Sequence, residues 1–164
     1  MALKEKLKND LTQAIKTSDA LNLSVLRMIS AAIRNKEIEK RTKLSKSGNL
    51  TLTELEERSQ LNDEEILEVI TSETKKRREA VLEYEKGGRL DLVEKERAEI
   101  EILKKYLPQE LSDEELKKMA IEAIRDSGAK TQKDFGKAMS VLMSKIKGRA
   151  DGAKAGQLVK ELLT

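Results

Sequence analysis

One proline, Pro108, stands in a chain of 164 residues. Proline lacks a backbone donor and disfavours helix at the residue before it, so a chain with a single such breaker is free to run as long helices on either side. The apolar pattern has that form. Leu3, Leu7, Leu11 and Ala14/Ile15 recur in steps of three and four, the period of one helix face. Leu21, Val25, Met28 and Ala32 make one stripe, and Leu26, Ile29 and Ile33 make a second beside it. Two adjacent stripes predict a helix with a wide buried face, reaching about Arg41. Aromatic residues are 2% of the chain (Tyr84, Tyr106 and Phe135), too few strand-forming residues for a β sandwich or barrel.

The remaining segments read the same way. Residues 42–61 begin as a Ser/Gly/Asn loop, and Thr53 to Glu56 reads as a capping box for a short helix. Asn62 or Asp63 caps a long helix that is apolar at Ile66, Val69 and Ile70 and again at Val81, Leu82 and Tyr84, with no large aliphatic residue from Ser72 to Glu79. Gly87-Gly88 ends it, and Asp91 opens a fourth helix with core positions Val93, Ile100, Leu103 and Leu107. Beyond Pro108, Ser112 to Glu115 is a capping box and Gly128 a C-terminal stop; Thr131 then caps a helix carrying Phe135, Met139, Leu142 and Ile146. Asp151 caps a last helix with Leu158, Val159, Leu162 and Leu163. The expectation is an all-α protein: a four-helix N-terminal domain over residues 1–107, with a long loop at about 42–61, followed by a small three-helix tail domain over 108–164.

The chain has no Cys and no His. That removes thiolate nucleophiles, disulfides, Cys/His zinc sites and an imidazole base near neutral pH, so no metal and no cofactor is expected. Gly128-Ala129-Lys130-Thr131 lacks the glycine spacing of a P-loop and follows a helix instead of a strand. Carboxylate groups such as Glu94/Glu96/Glu99 fit solvated helix faces, and no Gly-x-Ser-x-Gly occurs. No catalytic residues are assigned. The charged start and the absence of about 18 consecutive apolar residues predict neither a signal peptide nor a membrane span, and a cytoplasmic location.

The net charge of +3 is unevenly spread. Residues 1–50 carry eleven basic and five acidic groups, and residues 130–160 carry eight basic groups against Asp134 and Asp151. Lys130, Lys133, Lys137, Lys145, Lys147 and Arg149, with Gly148 and Gly152 and the amides around them, are the candidate RNA-binding residues. A second basic cluster, Lys75, Lys76, Arg77 and Arg78, occupies one full turn of the third long helix. Two roles are open to it: a phosphate or partner site, or an arginine laying its stem over the core to meet a glutamate of another helix.

Leu23-Ser24-Val25-Leu26-Arg27-Met28-Ile29 with Ala32-Ile33-Arg34-Asn35-Lys36-Glu37, then Lys76-Arg77-Arg78-Glu79, Tyr84-Glu85-Lys86-Gly87-Gly88-Arg89-Leu90-Asp91-Leu92, Tyr106-Leu107-Pro108 and Lys147-Gly148-Arg149-Ala150-Asp151-Gly152 follow one another along the chain. In this order they resemble the YqeY family, which is similar to the C-terminal half of the B subunit of the glutamine-dependent aminoacyl-tRNA amidotransferase. Two departures stand out. The 42–61 stretch is longer than the family's usual connection, and Lys154-Ala155 replaces aliphatic residues, which predicts looser packing at the start of the last helix.

The resemblance implies a helical domain plus a tail, with the tail contacting the body of a tRNA. It also attaches a label, carbon–nitrogen ligase with glutamine as amido donor, whose phosphorylating cradle and ammonia-releasing subunit lie outside the matched portions. The expected function is a non-catalytic module binding tRNA or another structured RNA. The alternative is an accessory subunit docking through its N-terminal helices on an amidotransferase or other translation protein. An enzyme in its own right is a third, disfavoured class.

Overall fold

Eight α-helices and one 3-10 turn make up the regular structure in a computed structural model that describes residues 2–46, 48 and 50–163. They are α1 (Leu3–Lys16), α2 (Ala20–Lys46), α3 (Leu52–Ser59), α4 (Asp63–Lys86), α5 (Leu90–Lys104), α6 (Asp113–Ser127), the 3-10 turn Gln132–Asp134, α7 (Phe135–Ile146) and α8 (Gly152–Leu162). The protein is all-α, and among the described residues there is no strand. The chain packs as two units, Met1–Tyr106 and Leu107–Thr164.

In the first unit α2 is the axle, touching α1, α3, α4 and α5. Its two apolar stripes account for this: Val25, Leu26 and Ile29 are fully buried and Ile33 nearly so. Asp19 starts the helix by accepting a hydrogen bond from the Asn22 amide at 3.1 Å, after Ser18 has turned the chain through a positive φ of 55°. α4 and α5 form an antiparallel hairpin around Ile66, Ile70, Val81, Val93, Ile100 and Leu103. Gly88, at φ 67°, makes the turn between them. Arg89, not Asp91, precedes α5; Asp91 lies in its first turn and holds Arg89 through two hydrogen bonds of 2.9–3.0 Å.

Among the described residues the N-terminal unit has five helices, not four, and the long 42–61 loop contracts. α2 runs on to Lys46, and Leu52–Ser59 forms its own helix. Its capping box is Thr51 with Glu54, two residues ahead of the Thr53–Glu56 pair read from sequence. The helix so capped buries Leu55 and Ser59, and it packs on α2. Two residues of α2 then staple the connection into α4: Glu37 accepts from the Leu61 amide at 3.2 Å, and Lys40 donates to the Gln60 carbonyl and to Glu65. Asn62 is the cap of α4, in a reciprocal pair with Glu65.

The second unit is three α-helices plus the 3-10 turn, closed over Leu116, Ala120, Ala123, Ala138, Leu142, Ile146, Ala155 and Val159. Ser112 with Glu115 caps α6, and Gly128 ends it at φ 66°. The start of α8 is tightly packed, contrary to the looseness expected from Lys154-Ala155. Ala155 is fully buried, its small side chain admitting close approach of α6 and α7, while Lys154 turns outward and pairs with Asp113.

Candidate nucleic-acid interface

The basic turn of α4 resolves into separate fates. Lys75 pairs with Glu79 at 3.9 Å and Lys76 with Glu73 at 2.6 Å, both at the surface. Arg77 goes inward. Only 13% of its side chain is exposed, and its guanidinium meets Glu99 of α5 at 2.9 Å, Glu73 at 3.3 Å and Glu96 at 3.9 Å. Arg78 is half-buried and engaged as well. Arg77 thus takes the role of a stem laid over the core with a carboxylate partner on another helix. A phosphate approaching it would have to displace three carboxylates from a site that excludes most water. Glu99, expected on a solvated helix face, is instead buried, and the roles of Glu73 and Glu96 beside it escaped the sequence reading. Their signal was the aliphatic gap from Ser72 to Glu79, which leaves a polar layer in a helix buried above and below it.

The candidate basic residues of the second unit divide between the two ends of α7. Lys130 and Lys133 lie exposed ahead of the helix and Lys137 in its first turn, where it pairs with Asp134 at 3.0 Å. Lys145 is in the last turn, paired with Asp126 at 2.7 Å, and Lys147 and Arg149 follow it. With a rise of 1.5 Å per residue, the eight positions from Lys137 to Lys145 put about 12 Å between the two groups.

Asp134 organises the first group. Its carboxylate takes the Lys137 ammonium, and the amides of Lys130 and Thr131 at 3.2 and 3.4 Å. Those contacts, the Lys137 hydrogen bond foremost, hold its carboxyl down to about 2.

Around the α7–α8 turn the geometry is more structural. Gly148 adopts φ 68°, a conformation that favours glycine. The Arg149 carbonyl accepts from the Leu111 amide at 2.8 Å, and its Nε donates to the Gln109 carbonyl at 3.3 Å, so this half-buried residue knits the segment after Pro108 to the turn. At the start of α8 the Asp151 carboxylate takes the amides of Ala153 and Lys154 at 2.6 and 3.2 Å. Two amides considered for a phosphate are therefore already met by a fixed negative charge. Gly152 is needed for no positive φ, and a Cβ there would touch Met143 at ordinary contact distance. Phe135 is packed against the core with the Lys160 ammonium over its ring at 5.5 Å, which leaves no exposed aromatic ring in this unit for base stacking.

A groove of about 640 Å³ opens between α2 and α4, lined by Lys36, Lys40, Lys43, Lys76 and by Glu39, Glu65, Glu68 and Glu73 among others. Lys36 pairs with Glu39, Lys40 with Glu65 and Lys76 with Glu73. Opposed charges cancel there, so the groove has no net preference for an anion. Among the described residues no group of three or more acidic side chains is placed to hold a metal ion, and no helix is long and apolar enough to cross a membrane.

The model of the family described as Yqey-like protein matches residues 4–163, and the chain belongs to that family. Among curated relatives, the altered inheritance of mitochondria protein 41 of Candida glabrata is 32% identical over 122 residues, covering 73% of this chain and 58% of that protein. The protein of the same name from Pyrenophora tritici-repentis is 27% identical over 164 residues, covering 96% and 79%. A glutamyl-tRNA(Gln) amidotransferase subunit from Sulfurisphaera tokodaii is 42% identical over 67 residues, covering 38% of this chain and 10% of the subunit. The chain thus spans little more than half of the Candida relative and a small part of the amidotransferase subunit.

Proposed function

We propose that the chain is a non-catalytic, translation-associated module that holds folded RNA of the tRNA class through its second unit. The observation that carries this reading is the 42%-identical stretch shared with a glutamyl-tRNA(Gln) amidotransferase subunit. The exposed Lys130 and Lys133, with Lys137, Lys145 and Lys147 along the same helix and its flanks, supply charge for phosphate contacts. Without exposed aromatic rings there, recognition is by backbone and shape. Affinity is then weak and steeply salt-dependent, because neutralised phosphates release counterions.

The test is anisotropy of labelled unfractionated tRNA against the full chain. Reversing Lys130 and Lys133 to Glu should lower affinity several-fold while leaving helix content unchanged; equal binding by the two proteins refutes the role of this surface. Lys130 and Lys133 serve better than Arg149, whose replacement would also cut its bond to Gln109.

A second reading, an accessory subunit docking through the first unit on an amidotransferase or other translation protein, is favoured by the α2–α4 groove, whose alternating charges suit a protein surface of mixed charge. Co-purification with identification of bound RNA and protein separates the two. The cytoplasmic location belongs to the same proposal, and the mitochondrial names of several relatives make fractionation of cells expressing the tagged chain its test.

A further inference from the structure

α2 carries seven basic residues and two acidic ones along 27 positions. Both glutamates are engaged, Glu37 by Lys4 and the Leu61 amide and Glu39 by Lys36. Three of the cations, Arg27, Arg34 and Arg41, recur every seven residues. An α-helix drifts by only about 20° per seven residues, so they share one face. Ser24, Ala31, Ile38 and Ser45 fall on that same face. Arg27 and Arg34 are exposed; Arg27 stands opposite Val25 and Ile29, and the stripe drifts towards the buried Leu26 and Ile33 by the half-buried Arg41.

Elsewhere in the first unit, arginines Arg77, Arg89 and Arg97 are committed to carboxylates at 2.6–2.9 Å. Among the described residues no ion pair involves Arg27, Arg34 or Arg41. The acidic residue that borders the stripe, Glu37, three positions after Arg34, is taken by Lys4 at 2.6 Å and by the Leu61 amide.

We infer that this outer face of α2 is a second phosphate-contact surface, on the first unit, for the backbone of folded RNA. Guanidinium groups stay charged and offer forked donors that match phosphate oxygens. At a rise of 1.5 Å per residue the three stand about 10 Å apart and span about 21 Å. A duplex carries phosphates every few Å along its axis, so three guanidinium groups spread over that length can reach more than one of them. The short Ala31 side chain lies between Arg27 and Arg34, and Ser24 and Ser45 flank the three, so a backbone can come close there. A protein partner would call for aromatic or aliphatic anchors, and Ile38, 54% exposed, is the single large apolar side chain on the stripe.

This inference rests on RNA being a ligand of the chain, but not on which surface of the second unit holds it. The experiment titrates the full chain with labelled unfractionated tRNA between 50 and 200 mM salt. R27Q/R34Q/R41Q should bind about tenfold more weakly, with the plot of log affinity against log salt shallower by about 2, since each lost phosphate contact removes about 0.7–0.9 from the slope. R27Q/R34Q, which spares the half-buried Arg41, should show about two-thirds of that change, and R27K/R34K/R41K should keep the parent slope. Parent-like affinity and slope in R27Q/R34Q overturn the inference and leave the stripe to an acidic protein surface. If the Lys130/Lys133 reversal weakens binding and R27Q/R34Q does not, the second-unit reading stands and this one falls; the opposite pattern supports the α2 face and refutes the second-unit surface. A parent that binds no tRNA refutes both.

Discussion

Arg77 shows how much a single side chain commits in a helical protein. Its charge is compensated by Glu99, Glu73 and Glu96 in a layer where Glu99 itself is 7% exposed. Truncation leaves buried carboxylates without a counter-charge, so Arg77→Ala is expected to destabilise the first unit by about 3–5 kcal/mol. Adding Glu99→Gln should recover part of that loss, and chemical denaturation of the single and double variants measures both. Asp134 makes the contrasting case at the surface. Its carboxyl titrates at about 2 in the folded protein against an ordinary 3.8. A depressed folded value means that its contribution is complete above the ordinary value and is lost as pH falls from about 4 towards 2. Asp134→Asn should therefore flatten the acid limb of the second unit's melting temperature in that window, and a limb identical to the parent's would show that its contacts are not coupled to folding.

At the level of elements, periodicity was sufficient wherever a helix buries one face against a neighbour. The stripes of α1, α7 and α8, the caps at Ser112 and Asp151 and the stops at Gly88 and Gly128 were all legible for this reason. α3 was less so. Two overlapping Thr-x-x-Glu pairs compete in its sequence, and the helix starts at the earlier one, Thr51 with Glu54. The end of α2 escaped similarly, because its last turns are polar on most sides and their helical state depends on α3 and on the bonds of Glu37 and Lys40. The ion layer of α4 left a gap in the apolar pattern but no clue to its partners on α5.

Two substitutions test the packing of the tail helices. Met139 packs against the tail core, and Met139→Asp should cost about 2–3 kcal/mol through a poorly solvated charge. Gly156 is buried in mid-helix, where a Cβ would meet Phe135 Cζ at 3.7 Å and Met139 Cε at 3.9 Å, ordinary contact distances. Gly156→Ala should then stabilise by about 0.5–1 kcal/mol by removing glycine's conformational freedom from a helix interior. Thermal melts of the pair should move in opposite directions.

For the whole molecule, we propose that the two units, Met1–Tyr106 and Leu107–Thr164, unfold separately. Each has its own buried set, and the segment after Pro108 is bonded into the second unit through Leu111 and Gln109. The expected result is a calorimetric trace with two transitions, only the first of which shifts in Arg77→Ala and only the second in Met139→Asp. A single transition moved by both variants would mean that the units fold as one.

Tyr106 gives the molecule an optical label that nobody has to attach. Both tyrosines, Tyr84 and Tyr106, belong to the first unit, and the chain has no tryptophan. The buried Tyr106 hydroxyl donates to Asp10 at 2.6 Å, with the Lys6 ammonium 5.2 Å from its ring centre. Burial and the Asp10 carboxylate both push its pKa up. A phenol bonded to a carboxylate emits weakly, and release of that bond on unfolding brightens it. Tyrosine emission therefore follows one half of the protein while the other, with Phe135 alone, stays dark. Comparing that signal with the far-ultraviolet dichroism of the same sample reads the two halves in a single tube, without a label or a truncated chain.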